Sequence, residues 1–534
     1  MSSPGFTFEY RTVAALPRLA WLAEVDRRAG VVRVTCGERV ETTPGFFVEG
    51  VWDGPFGAGG LAATDTVFGS GAALDGEAVV FVPSCATTDW LHYTVQDGRV
   101  AVSNSLALLL AHRDDALDLA VTVQDRVDQS ICDGIHNYIR EVPTAAGSVR
   151  RLLYRNLRIT RAAVEEIDKP ATPAFAGYDD YAGYLDGACA RLAANARDGG
   201  RRHALPIYST QSKGYDSTAV NALMKPYGID AVFTVTRGKG RGRFATDDAA
   251  EDVDDDGTEI CRLLGLPVVQ IDRRSFEAGF ADEYLFHAGI SLCQDANLLA
   301  IGRHVADIGL LLTGVLGEIW YSEVGSRPYR HMLNDGLWRG DLSGHGLGEV
   351  RLKMGLVQVA VPFIGARRRA DIHRINLGDE LAPWRLPVAY DRPVPRRLGE
   401  EAGLPRESFG MRKMASVTQF PEPPVPWGRD LAAGYFAALR AAGLTPAWYP
   451  HMVGAIQRIN GRILFDATYG FRAVYYAERI ARALGATTWS VPTLFRHLNG
   501  TLHAYCVNLR RDDYRAILAA ARAADPAAAR ASAA

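Results

Sequence analysis

Residues 205–220 read LPIYSTQSKGYDSTAV, and within them stand several side chains able to handle a phosphate group. Ser212 and Ser217 can donate hydroxyl hydrogen bonds, and Lys213 adds a positive charge. Gly214 lets backbone approach an anion, and Asp216 can hold the magnesium that accompanies a triphosphate. The run before them is apolar and the segment from Ser217 onward is helix-like, so the pattern predicts a strand, a tight turn and a helix start. The first N–H groups of such a helix have no intrahelical partner, and a phosphate can accept from them. Ordinary strand-to-helix turns share this composition, because Ser, Gly and Asp suit turns for conformational reasons alone.

The run Ser212-Lys213-Gly214-Tyr215-Asp216-Ser217 resembles the S-G-G-x-D-S pyrophosphate loop of the N-type ATP pyrophosphatases, best matched by the asparagine synthetases and their relatives. Lys213 stands where the family has its first glycine. A second loop, residues 313–320 (TGVLGEIW), resembles the family's S-G-x-G-x-D-E-x-F element, which lies opposite the first loop and supplies a second acidic magnesium ligand. Carried over by resemblance, Gly314 joins the nucleotide-binding residues and Glu318, the loop's only carboxylate, joins Asp216 as a metal ligand. This loop is one residue shorter than the family's. Asp295 is a candidate for the substrate side of the cleft, although capping of the following helix explains it equally well. Residues 355–364 (GLVQVAVPFI) resemble the family's V-P-F-L-D stretch, which the resemblance places between helices. In FGMRKM, residues 409–414, Lys413 matches the lysine that relatives use to stabilise charge developing on the phosphates. A lysine beside two methionines can also simply lie over an apolar surface. Beyond Pro421 the resemblance fades.

The elements around these loops follow from hydrophobic periodicity. Residues 178–197 have apolar positions at helical spacing, 231–235 and 267–271 read as strands, and 258–264 and 296–308 read as helices. The basic run 237–243 (RGKGRGR) and the acidic stretch after it read as a lid over the nucleotide or as a contact for an anionic substrate.

From Phe6 to about Pro170 the chain alternates short apolar runs with glycine and polar turns, which predicts antiparallel strands and hairpins. The plainest unit is residues 91–95, a Gln96-Asp97-Gly98 turn, residues 100–102 and the apolar helix 106–111. This part resembles the glutaminase-like, Ntn-type domain of asparagine synthetase relatives, with Phe47-Val48-Glu49-Gly50-Val51-Trp52-Asp53 similar to that domain's early strand. In the amidotransferases the nucleophile is a cysteine exposed by removal of Met1, with its own α-amino group as base. Ser2 holds that position here, and the nearest cysteine is Cys36. The resemblance therefore implies a structural role, as in the β-lactam synthetases, without glutamine hydrolysis.

At 534 residues the chain exceeds one typical domain of roughly 150 residues. The expected division is a degenerate glutaminase-like domain over 1–170, an Ntn-like β-sandwich flanked by helices, and an ATP-pyrophosphatase domain over 171–534. The second would be a doubly wound parallel sheet with a helical C-terminal half, making the chain α/β and α+β. Hydrophobic residues at 48% and charged residues at 22% describe a globular protein with large cores. A net charge of -2 gives no global pull toward nucleic acid or an acidic membrane. The seven cysteines lie far apart without C-x-x-C pairs, which argues against structural zinc and for reduced thiols. With no signal-like N-terminus and no apolar run of about 20 residues, the expected compartment is the cytoplasm.

What the resemblance implies is an ATP- and magnesium-dependent synthetase. A small-molecule or peptide carboxylate attacks the α-phosphorus, pyrophosphate leaves, and an amine displaces AMP to form an amide. β-Lactam synthetases carry a tyrosine in the second loop, where Val315 stands here, so lactam closure is disfavoured. Lasso-peptide-type cyclisation and intermolecular amide formation stay open. Two other classes compete: an RNA-modifying ATP pyrophosphatase, which would need reactive thiols such as Cys261 or Cys293, and a catalytically inactive binding or scaffold relative.

Overall fold

The computed structural model describes residues 5–96, 98–120, 124–240, 253–272, 281–292, 298–321, 333–388, 390–411, 414–415, 428–453 and 498–524, with a few positions between 455 and 486. Lys413, Asp295, Cys293, Asp97 and most of the basic and acidic lid segment lie outside the described residues.

The first part of the chain forms two packed sheets. The seven-stranded sheet runs in the order Thr7–Thr12, Val31–Cys36, Trp21–Asp26, Arg99–Ser103, Leu91–Gln96, Gly147–Leu152, Glu141–Thr144. The six-stranded sheet runs Val164–Ile167, Asn156–Ile159, Ala78–Val82, Val67–Asp75, Phe46–Trp52, Glu41–Thr42. Alternation along the strands puts one set of side chains inward, so Trp21, Ala23 and Val25 of one sheet meet Phe47, Val79 and Phe81 of the other in one core. The expected hairpin of Leu91–Gln96 and Arg99–Ser103 is present, followed by the helix Leu106–Arg113, capped by the Ser105 hydroxyl on the Leu108 amide at 3.0 Å. One pairing departs from the antiparallel expectation: Thr7–Thr12 runs parallel to Val31–Cys36. The alternation of a strand specifies its faces and says nothing of its neighbour's direction.

The second part is built on five parallel strands in the order Val268–Ile271, Ala231–Val235, Ile207–Gln211, Gly309–Thr313, Leu356–Ala360. Helices cover both faces. Ile207, Val232 and Leu310 face a core shared with the helices Tyr178–Ala196 and Tyr215–Met224. Phe233, Val235 and Leu311 face another, shared with Glu283–Gly289 and Gly348–Met354. Chain order along this sheet is third, second, first, fourth, fifth, so the chain reverses direction between Ile207–Gln211 and Gly309–Thr313. The V-P-F-type stretch lies between helices, Gly348–Met354 and Arg369–Leu377, as expected, but it is not a plain connection in a helical half: Leu356–Ala360 is the fifth strand of the sheet, buried along its whole length. A short β-branched apolar run fits a strand covered on both faces, which is why the pattern alone could not place it. The helix expected over 296–308 is confined to Leu298–Gly302 among the described residues, and the helix expected from Ser217 begins earlier, at Tyr215.

The two parts are joined by buried ion pairs and by the helix Asn499–Ala523, which packs on Leu106–Arg113 and Glu283–Gly289. Arg351 bonds Glu49 at 2.9 and 3.1 Å and Asp89 at 2.6 Å. No helix among the described residues is long and apolar enough to cross a membrane.

Candidate functional site

Ile207–Gln211 and Gly309–Thr313 end side by side at the point where the strand order reverses, and both loops singled out in the sequence start there. In open parallel sheets this is the natural crevice, because the connecting segments diverge to opposite faces. The first loop is tied by its own hydroxyls. Ser217 Oγ accepts from the Ser212 amide at 3.0 Å and lies 3.0 Å from Ser212 Oγ, which accepts from the Gly214 amide at 3.2 Å. Buried Gln211 braces the turn, donating to the Ser212 carbonyl at 2.5 Å and to Thr218 Oγ1 at 2.9 Å. Gly214 caps the ten-residue helix Tyr215–Met224 without a side-chain acceptor, so the first turn of that helix receives no cap from its own N-cap side chain.

Lys213 points sideways. Its ammonium pairs with Asp254, whose carboxyl this contact holds below the usual range, and its amide donates to Asp255 at 2.9 Å. The lysine thus has an acidic partner at the end of the short strand Val253–Asp254.

Asp216 lies against the second loop so closely that a Cβ at Gly314 or Gly317 would collide with it. Both loops therefore meet at Asp216, and glycine at these two positions is what permits the approach. Asp216 is ion-paired with Arg392, and Glu318 with Arg339 at 3.1 Å. Burial would raise the Glu318 carboxyl, but the Arg339 and Arg369 guanidiniums outweigh it and hold it below its ordinary value. Each carboxylate expected on magnesium thus carries an arginine, and no group of three metal-ligating side chains occurs among the described residues. The hydroxyls and amides of the first loop suit a phosphate chain; the carboxylates, paired as they stand, do not present a metal site, and no step is written through one.

Four residues around the loop went unassigned in the sequence: Arg392, Tyr321, Tyr390 and Gly410. Arg392, only 1% exposed, lies 4.1 Å from the Tyr321 ring centre and 5.4 Å from that of Tyr390. The Tyr390 hydroxyl accepts from the Tyr215 amide at 3.4 Å. Gly410 donates its amide to the Lys213 carbonyl at 2.8 Å, and its positive φ of 70° places it against the Tyr215 ring where a side chain would not fit. Segment 390–411 thus packs against the turn at residues 212–217. The only signal was Asp391-Arg392-Pro393, a residue before a proline that starts the helix Pro393–Glu401.

The described cysteines, Cys36, Cys85, Cys132, Cys189, Cys261 and Cys506, are buried free thiols. Burial pushes Cys261 up to about 12, the opposite of what a nucleophilic thiol needs.

The site is therefore a hydroxyl-lined turn at the point where the strand order of a parallel α/β sheet reverses, with two arginine-paired carboxylates beside it. No protein-family model matches the chain, and a search of curated proteins finds none similar to it.

Proposed function

We propose that this chain is an ATP-dependent synthetase that forms an amide bond by adenylating a carboxylate. The observation that carries the reading is the meeting of the two loops at Asp216, at the carboxyl ends of the strands flanking the reversal in strand order. In this reading residues 171–534 are an asparagine synthetase-like ATP-pyrophosphatase domain, and residues 1–170 a glutaminase-like sandwich without its nucleophile. A substrate carboxylate oxygen attacks the α-phosphorus, the bond to the β-phosphate oxygen breaks and pyrophosphate leaves. An amine nitrogen then attacks the acyl carbon, the bond to the phosphate oxygen breaks, AMP leaves and the nitrogen gives up its proton. Ser212, Gly214, Ser217 and the first helical amides bind and orient the phosphates; Gly314 and Gly317 keep the second loop close; Lys413 is the candidate for charge stabilisation. Positioning and charge neutralisation supply the rate, since no covalent protein intermediate is needed.

The test is thermal unfolding with and without magnesium and a non-hydrolysable α,β-linked ATP analogue, on wild type and on Ser217→Ala. Ligand at about 100 times its dissociation constant adds roughly 2.7 kcal/mol. A rise present in wild type and reduced in Ser217→Ala supports the reading; no rise in either protein removes it. The arginines on Asp216 and Glu318 favour one second reading, an inactive relative that binds nucleotide without turnover. Analogue binding without AMP and pyrophosphate release across a panel of acids and amines would select it. The buried, high-pKa Cys261 weighs against sulfur transfer to RNA.

A further inference from the structure

Arg392 is a buried cation beside the turn at residues 212–217, and its surroundings do not use it up. Its guanidinium pairs with one carboxylate, Asp216, and Nε has no hydrogen-bond partner among the described residues. Buried Arg351 differs: Glu49 and Asp89 take its N–H groups through three hydrogen bonds. Tyr321 and Tyr390 supply aromatic faces near the guanidinium at 4.1 and 5.4 Å and fix where it sits. Around the same point stand the Ser212 and Ser217 hydroxyls and the start of the helix Tyr215–Met224. Asp216, in the first turn of that helix, would repel a phosphate there; Arg392 cancels its charge.

We propose that Arg392 is itself the phosphate-binding cation of this cleft, so that the site takes a pyrophosphate-type anion without magnesium; this rests on the nucleotide reading above. The guanidinium bridges Asp216 and the phosphate oxygens through separate N–H groups, a fork that a lysine cannot reproduce.

The experiment is calorimetric titration of the full chain with inorganic pyrophosphate in EDTA, run beside the ATP analogue with magnesium. Wild type binds pyrophosphate in EDTA, Arg392→Met weakens it about 30-fold, and Arg392→Lys falls between them at a matching unfolding midpoint. A purely structural arginine would not produce that order between two equally folded variants. Wild type that binds the analogue with magnesium but no pyrophosphate in EDTA overturns the proposal and leaves the synthetase reading standing. Failure of both ligands removes both. Should Arg392→Met not fold, Arg392→Lys and Tyr321→Leu carry the test, and pyrophosphate affinity unchanged in these two overturns the proposal.

Discussion

Arg351 and Glu49, 302 positions apart in the chain, form a two-pronged ion pair of 2.9 and 3.1 Å in the interior, with Asp89 on the same guanidinium at 2.6 Å. Glu49 comes from the sandwich and Arg351 from a helix packed on the parallel sheet, so the pair fixes one part against the other. Removing the arginine leaves two buried carboxylates facing each other without a cation. Arg351→Met is therefore expected to lower stability by about 3–5 kcal/mol, read as a lower urea midpoint. An unchanged midpoint would mean that the junction between the two parts does not depend on this pair.

Acid sensitivity should begin above the carboxylate range. His345 is fully buried, and burial together with Arg339 lowers it from 6.5 to about 3; His92 is also lowered, by burial first and then by Arg151. A folded pKa below the unfolded one means that the unfolded chain takes up the proton first. The stability is complete above about 6.5 and drains as pH falls through the window down to the folded value. Between pH 8 and pH 5, His345 alone should remove roughly 2 kcal/mol. Urea midpoints across that range check it, and His345→Asn should flatten the slope.

Gly317→Ala should damage the site more than the fold. The added methyl meets the Asp216 carboxylate, whereas the strand Gly309–Thr313 behind it is untouched. The expected loss is about 1–3 kcal/mol in unfolding, with disappearance of stabilisation by the ATP analogue. Retention of full analogue binding would show that the approach of the second loop to Asp216 is dispensable.

Thiol chemistry offers a test of the competing sulfur-transfer class. With burial pushing Cys85, Cys132, Cys189 and Cys261 each to about 12, and Cys36 to about 11, these thiols should resist alkylation until the chain unfolds. Mass spectrometry after brief iodoacetamide treatment gives the count. Rapid labelling of Cys261 in the native protein would reopen that reading.

The sequence by itself determined the local elements around residues 205–224. The apolar run before Gln211, the small polar turn and the helical spacing beyond it sufficed for strand, loop and helix, because these depend on periodicity and turn chemistry within a few residues. It also marked Ser212, Gly214, Asp216 and Ser217 as one cluster and the second loop as its partner. Tertiary structure decided the rest. Which strand lies beside which, the parallel pairing of Thr7–Thr12 and the fate of Leu356–Ala360 are long-range choices that a two-residue alternation leaves open. The pairing of Asp216 with Arg392 joins residues 176 positions apart, and that of Glu318 with Arg339 depends on a fold of the intervening chain. Charge compensation acts through space, so a carboxylate read as a metal ligand from its neighbours in sequence can acquire, on folding, a guanidinium that no local pattern announces.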